Sequence, residues 1–218
     1  MAELSLTGQG KEFIEYAKSS LDESENSLFM ARGFEAIGNL IDLDFRKCTN
    51  LLDELEKSTK GNPIEVWVDQ ISNLCRAYVN FHNGDYKLSL EHAEISIASP
   101  IKSGTLDPMD KGRLIRLVAC IGLITSDIKK IEKCAEDILG IDNPDNLIVL
   151  DHAKSAIKSM QLLVHGEYNQ AYELAKSTIA LEEASGRVGI ASPFDCKFVV
   201  MRCLYEFSMI NEALSEIV

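Results

Sequence analysis

The chain has 218 residues, of which 46% are hydrophobic, and a formal net charge of −12 at pH 7. This composition can supply a substantial core in one or two globular units and disfavours intrinsic disorder. Because binding to a phosphate backbone needs clustered Lys and Arg, the acidic balance argues against direct nucleic-acid contact by this chain. The first twenty residues lack a secretory signal pattern and no window holds eighteen consecutive apolar residues, so we expect a soluble, cytoplasmic protein without a membrane span.

Apolar residues recur at helical spacing along nearly the whole chain, and strand patterns are essentially absent. The spacing predicts an opening helix near 9–21, followed by five pairs of helices. The pairs are expected at 27–41 with 44–58, 63–82 with 85–98, 107–125 with 127–140, 144–165 with 167–185, and 193–207 with 209–217. The sequence therefore predicts an all-α fold.

The turn inside each pair is repeated along the chain. Its acid and the residue that follows occur at Asp44–Phe45, Asp85–Tyr86, Asp127–Ile128 and Glu167–Tyr168, at intervals of 41, 42 and 40 residues, and one further step reaches Met209–Ile210. An acid at the start of the second helix suits the positive end of the helix dipole. Gly84 and Gly166 precede two of these acids and can supply the positive φ that a tight helix–helix turn often needs.

The repeat predicts a single domain over 1–218 with five units, at roughly 27–60, 63–100, 107–142, 144–188 and 193–218, after the extra N-terminal helix. Four prolines support these boundaries, because each follows a residue typical of a helix N-cap: Asn62–Pro63, Asp107–Pro108, Asn143–Pro144 and Ser192–Pro193. Proline is favoured at the first position of a helix, where its missing N–H costs nothing. We therefore expect the first helices of units two to five to begin at these prolines.

The helix pairs resemble the tetratricopeptide repeat, which packs through small residues at fixed positions around a Gly-Asp-Tyr-type turn. The matching positions are Ala77, Ser89 and Ser96 in the second unit and Ser159, Ala171 and Thr178 in the fourth. The first and third units match less well, since Ala36, Cys48 and Ala119 are small but Leu55, Ile131 and Ile138 are large. The resemblance implies a right-handed α-solenoid of about five antiparallel helix pairs.

The period of about 41 residues exceeds the 34 of the tetratricopeptide repeat. The longer period resembles that of the helical-repeat region in the large LuxR-type regulators related to the maltose-regulon activator. Residues 162–214 carry this closer resemblance. In such proteins the repeats sense an inducer or a partner, between an ATP-binding module and a DNA-binding module. Neither module is present in this sequence, so the chain is either a segment of such a regulator or a free-standing repeat protein.

The groove-facing positions of the repeat supply the candidate binding residues. Carried onto this chain, they are Tyr78 and His82 in the second unit, Arg113 and Arg116 in the third, and Asp195, Arg202 and Tyr205 in the fifth. Arg113 and Arg116 share a helical face and would suit an acidic peptide or an anionic small molecule. The alternative is that they form salt bridges with acids on neighbouring helices. In the fourth unit Ala153, Ala156, Met160, Leu163 and Val164 form either core or the floor of an apolar pocket.

No motif for catalysis, a cofactor or a metal is found. The six cysteines, at 48, 75, 120, 134, 196 and 203, lack a C-x-x-C pair and are expected to be buried thiols in a reducing compartment. The four histidines lack metal-ligand spacing, and His82 and His165, at the ends of equivalent first helices, are expected to act as helix caps. The "TGQGKE" stretch at 7–12 departs from the phosphate-loop pattern.

These observations favour a non-catalytic binding and regulatory module that recognises a peptide, a protein partner or an inducer in the concave groove of the solenoid. One alternative is a scaffold that dimerises through its C-terminal repeat, whose last helix carries Ile210, Ala213, Leu214 and Ile217. A further alternative is an all-α enzyme that uses groove carboxylates.

Overall fold

A computed structural model describes residues 9–19, 25–98, 108–142, 148–184 and 194–215. Within these ranges the regular secondary structure is helical and no strand occurs, so the all-α prediction is confirmed. The helices are α1 (Gln9–Ser19), α2 (Glu25–Ile41), α3 (Phe45–Ser58), α4 (Glu65–His82), α5 (Tyr86–Ala98), α6 (Pro108–Ile124), α7 (Ile128–Leu139), α8 (Ile148–Val164), α9 (Tyr168–Ala184), α10 (Phe194–Glu206) and α11 (Ile210–Ser215). None of these described helices is long and apolar enough to cross a membrane.

The chain divides into two compact units, Met1–Thr105 and Leu106–Val218. Unit 1 contains α1 to α5, in which α2 packs against α1, α3 and α4, and α4 packs against α3 and α5. Unit 2 contains α6 to α11, in which α8 packs against α6, α7, α9 and α10, and α10 also packs against α9 and α11. The assignment of all 218 residues to one domain stays a prediction.

The five turns between paired helices have the same backbone conformation. A positive φ occurs at Leu43 (59°), Gly84 (78°), Ser126 (58°), Gly166 (79°) and Ser208 (63°), which confirms the glycine predictions. The next residue donates its N–H to the carbonyl five residues back, as in Asp85 to Asn80 at 2.9 Å and Asp127 to Gly122 at 2.7 Å. This is the Schellman arrangement, which satisfies carbonyls at the end of a helix and reverses the chain.

The acid that follows each of three turns caps the second helix directly. The Oδ1 atoms of Asp44, Asp85 and Asp127 accept the backbone N–H groups of residues 47, 88 and 130, each at 3.1 Å. The bond from Lys47 N–H favours the ionised carboxylate and holds the pKa of Asp44 below its usual value. In the fourth turn Glu167 instead accepts a side-chain N–H from Gln170 at 2.9 Å.

The prediction that helices begin at prolines is correct for one described helix and wrong for another. Pro108 is the first residue of α6, as predicted. At Asn62–Pro63 the predicted helix start is wrong by two residues: the Asn62 side chain accepts the Ile64 N–H in a turn, and α4 begins at Glu65. Asn62 therefore closes a local turn instead of capping the helix. Asp107, Asn143–Pro144 and Ser192–Pro193 lie outside the described residues.

All twelve residues that align with small positions of the tetratricopeptide repeat are buried. Ala36, Cys48, Leu55, Ala77, Ser89, Ser96, Ala119, Ile131, Ile138, Ser159, Ala171 and Thr178 are each at most 2% exposed. The Ser89 hydroxyl donates to the Ala77 carbonyl at 2.7 Å and so joins α5 to α4 at two of these positions. The large residues Leu55, Ile131 and Ile138 are therefore as fully buried as the small ones.

Aromatic contacts fill the region between α1, α2 and α4 in unit 1. Phe34 meets Phe13 and Trp67 edge to face, with ring centroids 6.0 and 5.8 Å apart. The Trp67 ring lies against Gly33, where an added Cβ would approach it to 2.4 Å. Because Trp67 is the single tryptophan of the chain, its fluorescence reports on unit 1.

Candidate functional site

Two of the predicted binding residues meet inside unit 2. Arg116 of α6 donates from Nε to Asp195 Oδ2 at 2.5 Å and from Nη2 to Asp195 Oδ1 at 2.7 Å, and from Nη1 to Glu182 Oε1 at 2.5 Å. Arg116, Glu182 and Asp195 are only 6, 4 and 1% exposed. All three guanidinium nitrogens thus bind buried carboxylates, which joins α6 to α9 and α10.

Electrostatics keep the Arg116 guanidinium ionised. Burial by itself lowers the pKa of Arg116, but attraction and hydrogen bonding to Asp195 and Glu182 outweigh burial and raise it well above its usual value. Asp195 lies in the first turn of α10 and also accepts the Cys196 backbone N–H at 2.7 Å. The sequence allowed two roles for Arg116, ligand binding or salt bridges with acids on neighbouring helices, and the structure contains the salt bridges. The expectation that Arg116 and Asp195 are exposed groove residues is therefore wrong, because each is enclosed with its partner.

Arg113 does not share an exposed face with Arg116. Its Nη1 lies 3.1 Å from Asp110 Oδ1 of the same helix, and its side chain is 42% exposed. Since Arg116 points into the core, the two arginines do not present the joint cationic surface that their spacing predicts.

The two predicted residues of unit 1 have opposite environments. Tyr78 is 2% exposed, because it belongs to the core face of α4, so its position in an open groove is not seen. His82, at the end of α4, is exposed and stacks on Phe45 of α3, with ring centroids 5.2 Å apart and planes inclined by 25°. His82 therefore makes ring contacts that the sequence did not predict, and its suggested helix-capping role stays a prediction.

The stacked pair belongs to a larger aromatic cluster, defined by Phe45, Phe81, His82 and Tyr86. The Phe81 ring meets His82 edge-on at 5.6 Å and Tyr86 at 5.9 Å. The three carbocyclic rings are half-buried, so α3, α4 and α5 hold them in place while part of each ring faces solvent. Such a surface can stack against a planar group or an apolar side chain of a ligand.

The remaining two candidates, Arg202 and Tyr205, are exposed on α10. The Arg202 guanidinium lies 5.8 Å from the Tyr205 ring centroid, and its Nη2 lies 3.3 Å from Glu206 Oε1. Tyr205 is 59% exposed in spite of its size. These side chains are accessible to a partner.

Sequence reasoning missed Glu182 and three members of the aromatic cluster. The signal for Glu182 was present, because it extends the buried stripe of Ala171, Ala175 and Thr178 along α9. An acid at such a core position indicates a buried ion pair. Phe45 and Tyr86 were signalled by their place directly after a turn acid in the repeat.

The apolar stripe of α8 is core. Ala153, Ala156, Met160 and Leu163 are buried and Val164 is half-buried, which is the first of the two alternatives for these residues. In α11, Ala213 is buried, whereas Ile217 and the side chains of Ile210 and Leu214 lie outside the described part.

All six cysteines are buried free thiols, as predicted. Burial raises the pKa of Cys134 to about 12 and of Cys203 to about 11, and those of Cys120 and Cys196 higher still. These four thiols stay protonated near neutral pH and are poor nucleophiles. The described residues contain no group of three His, Cys, Asp or Glu side chains placed to hold a metal ion.

Comparison with known proteins gives no match: no protein-family model, no curated protein and no solved structure matches this chain. The resemblance to tetratricopeptide and LuxR-type repeats therefore remains an interpretation of sequence motifs.

Proposed function

We propose that this chain is a non-catalytic binding and regulatory module built as a tetratricopeptide-like, right-handed α-solenoid of about five helix pairs. The observation that carries the proposal is the recurrence of one Schellman turn, with a positive φ at residues 43, 84, 126, 166 and 208. A turn repeated at a near-constant interval is typical of helical repeats, in which each pair needs its neighbours to bury its apolar face. Repeats of this kind serve as binding surfaces.

The aromatic cluster of unit 1 is the proposed ligand surface. Three half-buried rings and the exposed His82 imidazole combine a rigid apolar platform with a polar group. Rings held by three helices lose little freedom on binding, which favours affinity. The ligand class is a peptide, a protein segment or a small inducer with a planar or apolar group that can stack on the cluster.

Catalysis has less support than binding. The predicted groove carboxylate Asp195 is buried and bound by Arg116, so it is not available as a general acid or base. The resemblance to LuxR-type regulators favours a cytoplasmic sensor or interaction region of a transcriptional regulator, with other segments making any contact to nucleic acid.

A thermal-unfolding screen followed by Trp67 fluorescence tests the ligand surface. The probes are a panel of mono- and disaccharides, nucleotides and short acidic peptides. A probe that binds the folded state at 100 times its Kd stabilises it by about 2.7 kcal/mol and so raises the midpoint. We expect at least one class to do so, and His82→Ala to abolish the shift.

The matched control is His165→Ala, which removes a histidine from the corresponding turn of unit 2 and leaves the aromatic cluster intact. It should keep the ligand-dependent shift. A panel without any shift in the wild-type chain, or a shift that His82→Ala leaves unchanged, contradicts the proposed surface.

A further inference from the structure

The described part of α10 has two contrasting faces. One face is buried in unit 2 and consists of Asp195, Cys196, Val199, Val200, Cys203 and Leu204. The other, which we call the outer face, is half-buried or exposed and consists of Lys197, Phe198, Met201, Arg202, Tyr205 and Glu206. At 100° per residue the outer residues from Lys197 to Tyr205 lie on the half of the helix opposite the buried set. Glu206, at the end of α10, lies at the boundary between the two halves, next to Arg202.

The outer face is unlike an ordinary solvated helix face. Phe198 and Tyr205, seven residues apart, lie along its centre line, with Met201 and Arg202 between them. Aromatic residues, Met and Arg are the types enriched at protein interfaces, and Tyr and Arg are frequent hot spots. The outer face therefore has the composition of a contact surface.

Its charges are complementary to those of a second copy of the same face. Arg202 and Glu206 lie one turn apart along one edge of α10, 3.3 Å from each other. If two α10 helices run antiparallel across a two-fold axis at the level of Leu204, each Arg202 faces Glu206 of the other copy. Tyr205, one residue from that level, then lies next to the axis in both copies, where the two rings can pack. A two-fold interface requires self-complementarity of this kind.

We propose that the C-terminal end of the outer face of α10, from Met201 to Glu206, is the interface of a symmetric homodimer, closed by two reciprocal Arg202–Glu206 ion pairs around a pair of Tyr205 rings. A net charge of −12 on each copy opposes contact through most of the surface. Where each Arg202 meets Glu206 of the other copy, opposite charges attract and reduce this repulsion at the interface. The dimer does not depend on the ligand surface of unit 1, so each proposal can fail without the other.

Charge reversal tests the pairing in the full chain. In a dimer of Arg202→Glu, the introduced glutamate of each copy would face Glu206 of the other, and in a dimer of Glu206→Arg two arginines would face each other. Like charges repel in both cases, so each variant alone should sediment as a monomer of 24.2 kDa. An equimolar mixture should form a heterodimer of twice that mass, because every acid then faces a base. Wild type should dimerise, and the double variant Arg202→Glu/Glu206→Arg should dimerise again.

The matched control is Lys87→Glu in α5, which reverses one member of another exposed i, i+4 pair, Lys87–Glu91. It should leave the dimer mass unchanged, and far-UV circular dichroism should confirm that every variant is folded. A wild-type chain that stays at 24.2 kDa at high concentration overturns the proposal. Dimers of the single variants, or a mixture that stays monomeric, overturn the reciprocal pairing.

Discussion

Arg116 and Asp195 lie 79 residues apart in the chain, yet two hydrogen bonds join their side chains inside unit 2. Glu182 binds the remaining nitrogen of the same guanidinium at 2.5 Å. Removal of the arginine leaves two carboxylates buried without their cation. Such a cluster is costly to break, although it adds little compared with an apolar core of the same shape.

Arg116→Ala is therefore expected to lower the free energy of unfolding by about 3–5 kcal/mol, as for other broken buried ion pairs. Urea unfolding followed by far-UV circular dichroism measures this loss. Arg113→Ala is the matched control on the same helix, and its exposed pair with Asp110 should contribute only about 0–1 kcal/mol. Equal losses for the two variants would contradict the burial of Arg116.

The stability of unit 1 should fall as the pH falls below about 6.5, the usual pKa of histidine. Burial of His92, and then the nearby Arg76 cation, lower the pKa of its imidazole. Below about pH 6.5 the folded state therefore binds fewer protons at His92 than the unfolded state does. The stability that His92 contributes is fully present above its pKa in the unfolded state, and it is lost as the pH falls through its pKa in the folded state. Urea unfolding followed by Trp67 fluorescence at pH 5 to 8 measures it.

In His92→Gln this part of the pH dependence should disappear, because the titrating group is gone while the amide can still bond to Asn73. In the wild-type chain His92 Nδ1 lies 2.9 Å from Asn73 Oδ1. His165→Gln, in unit 2, serves as the control and should keep the slope. A slope that survives His92→Gln would show that another group is responsible.

The repeated turn predicts opposite effects for two exchanges at equivalent positions. Ser126 has a positive φ with a side chain, so Ser126→Gly should stabilise the fold by up to about 1 kcal/mol. Gly84→Ala should destabilise it by about the same amount, and only through backbone strain, because an added Cβ meets nothing within 4 Å. Chemical denaturation measures both, and effects of the same sign would refute the shared turn geometry.

All six thiols should be inert to a disulfide reagent in the native state, because they are buried. Their reaction should require unfolding and should yield six thiols per chain in denaturant. The yield of released thiolate, followed by absorbance with and without urea, checks this. Rapid native reaction of even one cysteine would contradict the burial described for it.

Local sequence determined most of the secondary structure. Helical periodicity and the turn acids placed every helix to within four residues of its observed ends, because helices and Schellman turns depend on bonds between residues at most five apart. Gly84 and Gly166 signalled the positive φ, and the small residues at the repeat positions signalled nine core residues. The prediction of a helix start at Asn62–Pro63 was wrong because an Asn side chain can either cap a helix or close a turn. Packing against neighbouring segments decides which of the two it does.

The environment of the candidate residues was decided by tertiary structure. Nothing near Arg116 in the chain shows that Glu182 and Asp195, 66 and 79 residues away, neutralise it. Tyr78 and His82 are one turn apart on α4, yet Tyr78 is enclosed whereas His82 is exposed and joins the half-buried rings of the aromatic cluster. The sequence by itself determined where the helices and their turns lie, since those depend on short-range bonds. Which face of each helix is covered, and by which charge, depends on packing between distant segments and was settled by the tertiary structure alone.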